Sequence, residues 1–195
     1  MPGEISTANI SDPNVKWGVC GFCAALGALH ANKLLPTTVL KEHMKSRLLA
    51  EIKTYLRFLQ ADNSPLLQEI EGFTRGFKGY ESFSVARYIE KINNAPVDMT
   101  PDFSIAMPPK AVVDYLKRMY DMKSARLIPA GQKQDNVLLG FAKGKGLFGF
   151  LFGRDLKHWV YKKNDNVVYN WGEMKTLAEV KREVDLPIGY QVAIF

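Results

Sequence analysis

The chain has 195 residues, of which 47% are hydrophobic and 24% charged, and its formal net charge is +6. No apolar run approaches the ~20 residues of a membrane span, and two cysteines cannot build a disulfide framework. The excess positive charge is concentrated between residues 131 and 163. A solvated basic rim explains it better than a nucleic-acid surface, since no stacking aromatics or helix-turn-helix pattern accompany it. We therefore expect no nucleic-acid partner.

The first six residues have neither a basic start nor an apolar core, so they do not resemble a cleavable secretory signal. We expect a cytoplasmic protein, or one exported by machinery that needs no such signal. Structural zinc is not expected, because neither a second cysteine pair nor a closely spaced histidine pair is present. The glycines lack the spacing of a phosphate-binding loop. The sequence thus predicts neither a metal nor a cofactor.

The first 120 residues have helical patterns. Small side chains at residues 23–33 predict a buried central helix, because they let neighbouring elements approach closely. Apolar residues recur at helical spacing over residues 38–60, with Lys and Glu on the other face, so a longer surface helix is expected there. Further helices are predicted at residues 65–73, 81–93 and 109–122, the last opened by prolines that suit a first turn.

After Ser124 the pattern changes to short β-rich segments. Strands are predicted at residues 125–129, 137–142, 159–162, 167–171 and 190–195, interrupted by one amphipathic helix at 176–184. Helices followed by a mostly antiparallel sheet define an α+β fold class. We expect one domain over residues 1–195, with a mainly helical lobe at 1–123 and a mainly β lobe at 124–195.

A glycine-rich apolar stretch at residues 144–153 has the most unusual local composition in the chain. It could be a mobile flap or a loop that touches a membrane. The simpler interpretation is a strand whose glycines allow other backbone or aromatic groups to approach. The sequence leaves this choice open.

The motif with the clearest chemistry is Gly18-Val19-Cys20-Gly21-Phe22-Cys23-Ala24-Ala25. A cysteine at a helix N-terminus faces unpaired N–H groups and the positive end of the helix dipole, which favour the thiolate. With the helix expected to start at Cys23, this residue is the predicted nucleophile. Its backbone N–H could also donate to an oxyanion. Cys20 is expected to be a buried structural thiol.

A thiolate nucleophile needs a base, and the chain offers three histidines. His30 lies seven residues beyond Cys23, about 10 Å along the same helix, which is too far to touch it. His43 falls on the polar side of the long amphipathic helix. His158 remains as the predicted base, at the start of a strand whose hairpin partner ends in Asn170.

The group that orients His158 is open at this stage. If Asp165 and Asn166 form a two-residue turn, strand alternation puts Asn170 on the face opposite His158. A bulge or a three-residue loop would bring Asn170 back to the same face. Without one, Asp165 or Glu173 could orient the imidazole instead.

Three separated pieces of the chain together resemble a known family. The run from Gly18 to Ala25, the later His158, and Asn170-Trp171-Gly172 resemble the papain-like cysteine peptidases in type and order. The resemblance implies a helix headed by the nucleophile Cys23, a Cys-His-Asn triad, and a protein, peptide or other amide-containing substrate. Trp17 stands near where that family carries its oxyanion-hole glutamine, so Trp17 and the Cys23 N–H are the oxyanion-hole candidates.

Other functions use the same residues. An acyltransferase or a deamidase could employ the same triad. Cys20 and Cys23 also form the Cys-x-x-Cys spacing of thiol-disulfide oxidoreductases, although the thioredoxin-like fold needs strand–helix units before that motif and only nineteen residues precede it. A non-enzymatic interaction module is the third alternative. We expect a cysteine-dependent hydrolase, a thiol protease or amide hydrolase.

Overall fold

The structure is a computed structural model that describes residues 18–35, 44–94, 105–143, 156–170 and 173–195. Trp17, Trp171, Gly172, His43 and the stretch 144–153 lie outside these ranges. The helices described are α1 (Cys20–Ala31), α2 (Met44–Ala61), α3 (Leu66–Arg75), α4 (Val85–Asn94), α5 (Pro109–Tyr120) and α6 (Leu177–Val184). The strands are β1 (Arg126–Ile128), β2 (Val137–Ala142), β3 (Leu156–Asn164), β4 (Val167–Asn170), β5 (Glu173–Lys175) and β6 (Ile188–Ala193).

The strands form one sheet in the order β1-β6-β2-β3-β4-β5. Each neighbouring pair in this described sheet is antiparallel. Helices that precede an antiparallel sheet confirm the predicted α+β class. The thioredoxin-like alternative requires a parallel core, which these strands do not form. No helix in the described ranges combines the length and apolarity needed to cross a membrane.

The two faces of the sheet bury different cores. The face that packs on α1 carries Trp159 and Tyr161 of β3, which join the larger hydrophobic cluster with the helices. The opposite face carries Val160 of β3 and Val168 of β4, which pack with Val180 of α6 in a smaller cluster. Burying one such side chain contributes about 1.5–3 kcal/mol relative to leaving it exposed. β3 therefore lies in the middle of the molecule with both faces covered.

Helix α1 is buried, as its small residues predict, but it begins at Cys20 and not at Cys23. Gly18 has a positive φ of 59° and leads the chain into the helix. Gly21 belongs to the first turn, where a Cβ atom would meet the Met107 Cβ at 2.8 Å. The sequence analysis placed Gly21 before the helix. In the structure its missing side chain lets the 105–108 segment approach α1.

The hairpin between β3 and β4 contains the bulge that the alternation argument required. Tyr161 pairs with Tyr169 and Lys162 with Val168, and the register then shifts before Asn164 pairs with Val167. One extra residue on β3 changes the face on which the following strand presents its side chains. Asn170 and His158 consequently share the α6 face of the sheet.

Two predictions about the sheet needed correction in extent, and one strand was missed. β3 is longer than the predicted segment at 159–162, and β5 follows β4 without having been predicted. β5 is only three residues long and polar, Glu173-Met174-Lys175, so it carries no alternation that could reveal a strand. The last strand, predicted at 190–195, lies at Ile188–Ala193.

Candidate active site

The centre of the site is a buried histidine–asparagine pair. His158 on β3 is 7% exposed and Asn170, the last residue of β4, is 1% exposed. The Nε2 atom of His158 lies 2.7 Å from Oδ1 of Asn170. An amide oxygen only accepts, so Nε2 carries the hydrogen and Nδ1 keeps the lone pair. The expectation that Asn170 would accept from Nδ1 is therefore wrong, because the ring presents its other nitrogen.

The Glu183 carboxylate, which the sequence analysis missed, contacts the other end of the Asn170 amide. Nδ2 of Asn170 donates to Oε2 of Glu183 on α6 at 3.3 Å. Oε1 of Glu183 accepts from Nζ of Lys175 at 2.6 Å. The capping box between Thr176 and Glu179 fixes where α6 begins. Glu183 lies three residues after the buried Val180, on the side of α6 toward the sheet, and this spacing is the signal that could have identified it.

The two other candidates for the third group have different partners. Asp165 pairs with Nζ of Lys162 at 2.8 Å, and Glu173 pairs with Nζ of Lys175 at 2.7 Å. The hydrogen bond to Lys162 lowers the pKa of the Asp165 carboxyl. Of the three candidates, Asn170 is the one that the hydrogen bond joins to the imidazole.

Cys20 occupies the first position of α1, where peptide N–H groups have no acceptor within the helix. The backbone N–H groups of Trp159, Gly21 and Cys20 itself lie close enough to its thiol to act against the rise in its pKa. The Trp159 N–H belongs to the peptide group that links it to His158. The thiol thus meets the β3 backbone at the peptide group next to the histidine, beyond the Tyr161–Tyr169 pair where the described pairing with β4 ends.

Cys23 lies one turn further along α1. Its backbone N–H donates to the Val19 carbonyl at 3.1 Å, as a helical hydrogen bond requires. This bond corrects the prediction that the Cys23 N–H serves as an oxyanion donor, because the donor is already used. Trp17, the other candidate, lies outside the described residues.

Both cysteines are half-buried, and no disulfide joins them. Burial raises the pKa of Cys20 to about 11, while the three backbone donors act in the opposite direction. Burial and the charge of the neighbouring Cys20 both raise the pKa of Cys23, well above its ordinary value. Burial therefore opposes the acidity predicted for Cys23. Cys20 is the thiol whose ionised form the backbone supports.

The imidazole is also held in its neutral form. Burial lowers the pKa of His158, and the hydrogen bond that Nε2–H donates to Asn170 opposes this shift only in part. Burial thus keeps both the imidazole and the thiols neutral, whereas a preformed ion pair would need both pKa shifts reversed.

The described residues contain no group of three His, Cys, Asp or Glu side chains placed to hold a metal ion. Comparison with models of known protein families found no match, and searches of curated proteins and of solved structures also found none.

Proposed function

We propose that this protein is a cysteine-dependent hydrolase of the papain-like type, in which His158 and Asn170 activate a thiol in the first turn of α1. The observation that carries the proposal is the buried bond between His158 Nε2 and Asn170 Oδ1, at 2.7 Å. The thiol of Cys20 adjoins the same stretch of β3 through the Trp159 N–H. A thiol, a base and an amide that orients the base are the parts of nucleophilic catalysis by cysteine.

The geometry favours Cys20 as the nucleophile, in place of the Cys23 that the sequence motif suggested. Cys20 is the first residue of α1. Burial raises the pKa of its thiol, and the backbone N–H groups of Trp159, Gly21 and Cys20 itself act to lower it. These donors stabilise negative charge on sulfur. Cys23 lies inside the helix with its own N–H bonded to Val19. Cys23 then becomes the neighbouring thiol that packs beside the reactive one.

The proposed reaction starts from a neutral His158 imidazole and a neutral Cys20 thiol. His158 Nδ1 takes the thiol proton as the Cys20 sulfur attacks an acyl carbon, which forms a C–S bond and an oxyanion. First-turn N–H groups of α1 stabilise that oxyanion. The leaving amine takes the proton from the imidazole as the C–N bond breaks. Water, deprotonated by His158, then hydrolyses the thioester and restores the thiol.

The proposed substrate class is a protein, a peptide or another amide-containing molecule. A transferase would replace water with a second acceptor, and a deamidase would release ammonia from a side-chain amide. These variants share the acyl-enzyme step. That step is therefore the one to measure first.

The test uses p-nitrophenyl acetate as an activated acyl donor. The purified protein should release a burst of p-nitrophenolate and carry one acetyl group, located on Cys20 by peptide mass spectrometry. Cys20→Ala should abolish the burst, whereas Cys23→Ala should retain it. No burst and no acetylated cysteine would reject the hydrolase.

Cys23→Ala also separates the proposal from a Cys-x-x-Cys oxidoreductase. A hydrolase that uses Cys20 tolerates the loss of Cys23. An oxidoreductase requires both thiols, because the second one resolves the mixed disulfide. If the protein turns over a dithiol–disulfide exchange substrate and loses this activity in both Cys20→Ala and Cys23→Ala, it is an oxidoreductase instead.

A further inference from the structure

Asn170 is held between two different partners, and its two amide atoms are not equivalent. The oxygen lies toward His158 Nε2 at 2.7 Å, and the nitrogen lies toward Glu183 Oε2 at 3.3 Å. The Asn170 side chain is almost completely buried. In a site so enclosed, the side-chain amide can take one of two orientations that differ by a half-turn about its last bond.

The Glu183 carboxylate distinguishes these two orientations. It can only accept hydrogen bonds, so it attracts the amide N–H2 and repels the amide oxygen. It is fixed in place because Lys175 binds its other oxygen at 2.6 Å. The orientation with the amide nitrogen toward Glu183 is therefore favoured, and the amide oxygen is left to face the imidazole.

The orientation of Asn170 decides which imidazole nitrogen is protonated. An amide oxygen facing Nε2 requires a hydrogen on Nε2, so Nδ1 holds the lone pair. A reversed amide would donate to Nε2 and would place the hydrogen on Nδ1. Only the first tautomer can take a proton through Nδ1.

We propose that Glu183 is a positioning residue that sets the tautomer of His158 through Asn170. The inference rests on the proposed function in that the tautomer matters for taking the thiol proton. The chain of contacts runs from the exposed end of α6 to the buried imidazole. Glu183 is not a catalytic residue, because it contacts neither the thiol nor the ring.

The decisive variant reverses the hydrogen-bonding character of residue 183. Glu183→Lys replaces an acceptor with a donor, which favours the amide with its oxygen toward α6. His158 should then carry its hydrogen on Nδ1. Glu183→Leu removes the preference and should give a mixture of tautomers. Glu183→Gln keeps an oxygen that can accept from Asn170, and should retain the Nε2–H form.

The measurement is the ¹⁵N chemical shifts of histidine-labelled protein, taken at a pH where the imidazole is neutral. The His158 signals are assigned by their loss in His158→Gln. Arg182→Gln is the matched control, because Arg182 is the exposed neighbour of Glu183 on α6. It changes the charge of the same helix and should leave the Nε2–H tautomer in place.

The acylation rate with p-nitrophenyl acetate gives a second readout. Glu183→Lys should lower it about tenfold or more, and Glu183→Leu by a smaller factor. Glu183→Gln and Arg182→Gln should stay close to the unmodified protein. Thermal unfolding of each variant separates a change of tautomer from a loss of fold.

The proposal is overturned if His158 keeps the Nε2–H form in both Glu183→Lys and Glu183→Leu while both remain folded. It is also overturned if the unmodified protein carries the hydrogen on Nδ1. Should Glu183→Lys not fold, Glu183→Leu alone decides, since unchanged shifts in that variant contradict the mechanism. The ¹⁵N shifts need no turnover, so a protein without any acylation would reject the hydrolase while still reporting whether Glu183 controls the tautomer.

Discussion

Two buried polar clusters in this protein compensate their charges differently. In the helical cluster, Glu51 of α2 is 6% exposed. It pairs with Arg47 at 2.7 Å and accepts from the Tyr115 hydroxyl at 2.9 Å. In the sheet cluster, His158 contacts the neutral amide of Asn170. The other end of that amide contacts the Glu183 carboxylate. In the helical cluster a positive side chain contacts the buried carboxylate, whereas the hydrogen bond described for the ring of His158 is to a neutral amide.

The two clusters also differ in which side chain burial keeps neutral. Burial, with Tyr120 and Glu51 adding to it, raises the pKa of Tyr115 far above the physiological range, so this hydroxyl keeps its proton. Burial lowers the pKa of His158, so the imidazole is neutral and able to accept a proton. Removing one partner of a buried ion pair destabilises a fold. A buried titratable ring with a shifted pKa is a candidate for a functional site.

The largest effect should come from His158→Ala. Removing the base should lower the acylation rate of p-nitrophenyl acetate by about a hundred- to ten-thousandfold. Glu51→Gln is the matched change in the other cluster and should leave the rate within about twofold, because Glu51 contacts only the helical cluster. Equal rate losses in the two variants would mean that the clusters do not differ in function.

Asn170→Ala should have the next largest effect. Without its oxygen the imidazole loses the group that fixes the ring, and the acylation rate should fall by about tenfold to a thousandfold while the protein remains folded. Asp165→Ala and Glu173→Ala serve as controls and should keep full activity. Full activity in Asn170→Ala, with loss in either control, would transfer the orienting role to that carboxylate.

Glu51→Leu should reduce stability without abolishing activity. The change leaves the buried Tyr115 hydroxyl and the Arg47 guanidinium without this acceptor, at a cost of about 1–3 kcal/mol in the free energy of unfolding. Urea denaturation measures it, with the exposed Glu90→Ala on α4 as a control that should change little. A loss no greater than that of Glu90→Ala would show that the helical cluster is not stabilising.

The smallest effect concerns the pH dependence of stability. The pKa of His158 lies below its ordinary value of 6.5, so below that pH the unfolded chain binds a proton more readily than the folded protein. The free energy of unfolding should therefore fall as the pH decreases through this range. His158→Gln should show a shallower fall, and an identical pH profile would mean that His158 is not held in its neutral form.

Much of this arrangement could be predicted from the sequence, and the errors have local causes. The α+β class follows from periodicity, and His158 follows from eliminating the other histidines. The predicted start of α1 is wrong because Gly21 was interpreted as a boundary of the helix. The close approach of Met107 explains why a glycine occupies this position. Whether Asn170 faces His158 depended on one bulge after Lys162, which no side-chain pattern specifies. The spacing of Glu183 from Val180 indicates a sheet-facing residue of α6, but its contact with Asn170 follows only from the packing of α6 on β4.

The central claim is that His158 activates Cys20, and the rate of thiol alkylation tests it most directly. Iodoacetamide labelling of the native protein, quantified at each cysteine by peptide mass spectrometry across a range of pH, compares Cys20 with Cys23 in one sample. If His158 activates Cys20, we expect Cys20 to be labelled faster than Cys23. The Cys20 rate should rise with pH and fall markedly in His158→Ala. Faster labelling of Cys23, or a Cys20 rate that His158→Ala leaves unchanged, would contradict it.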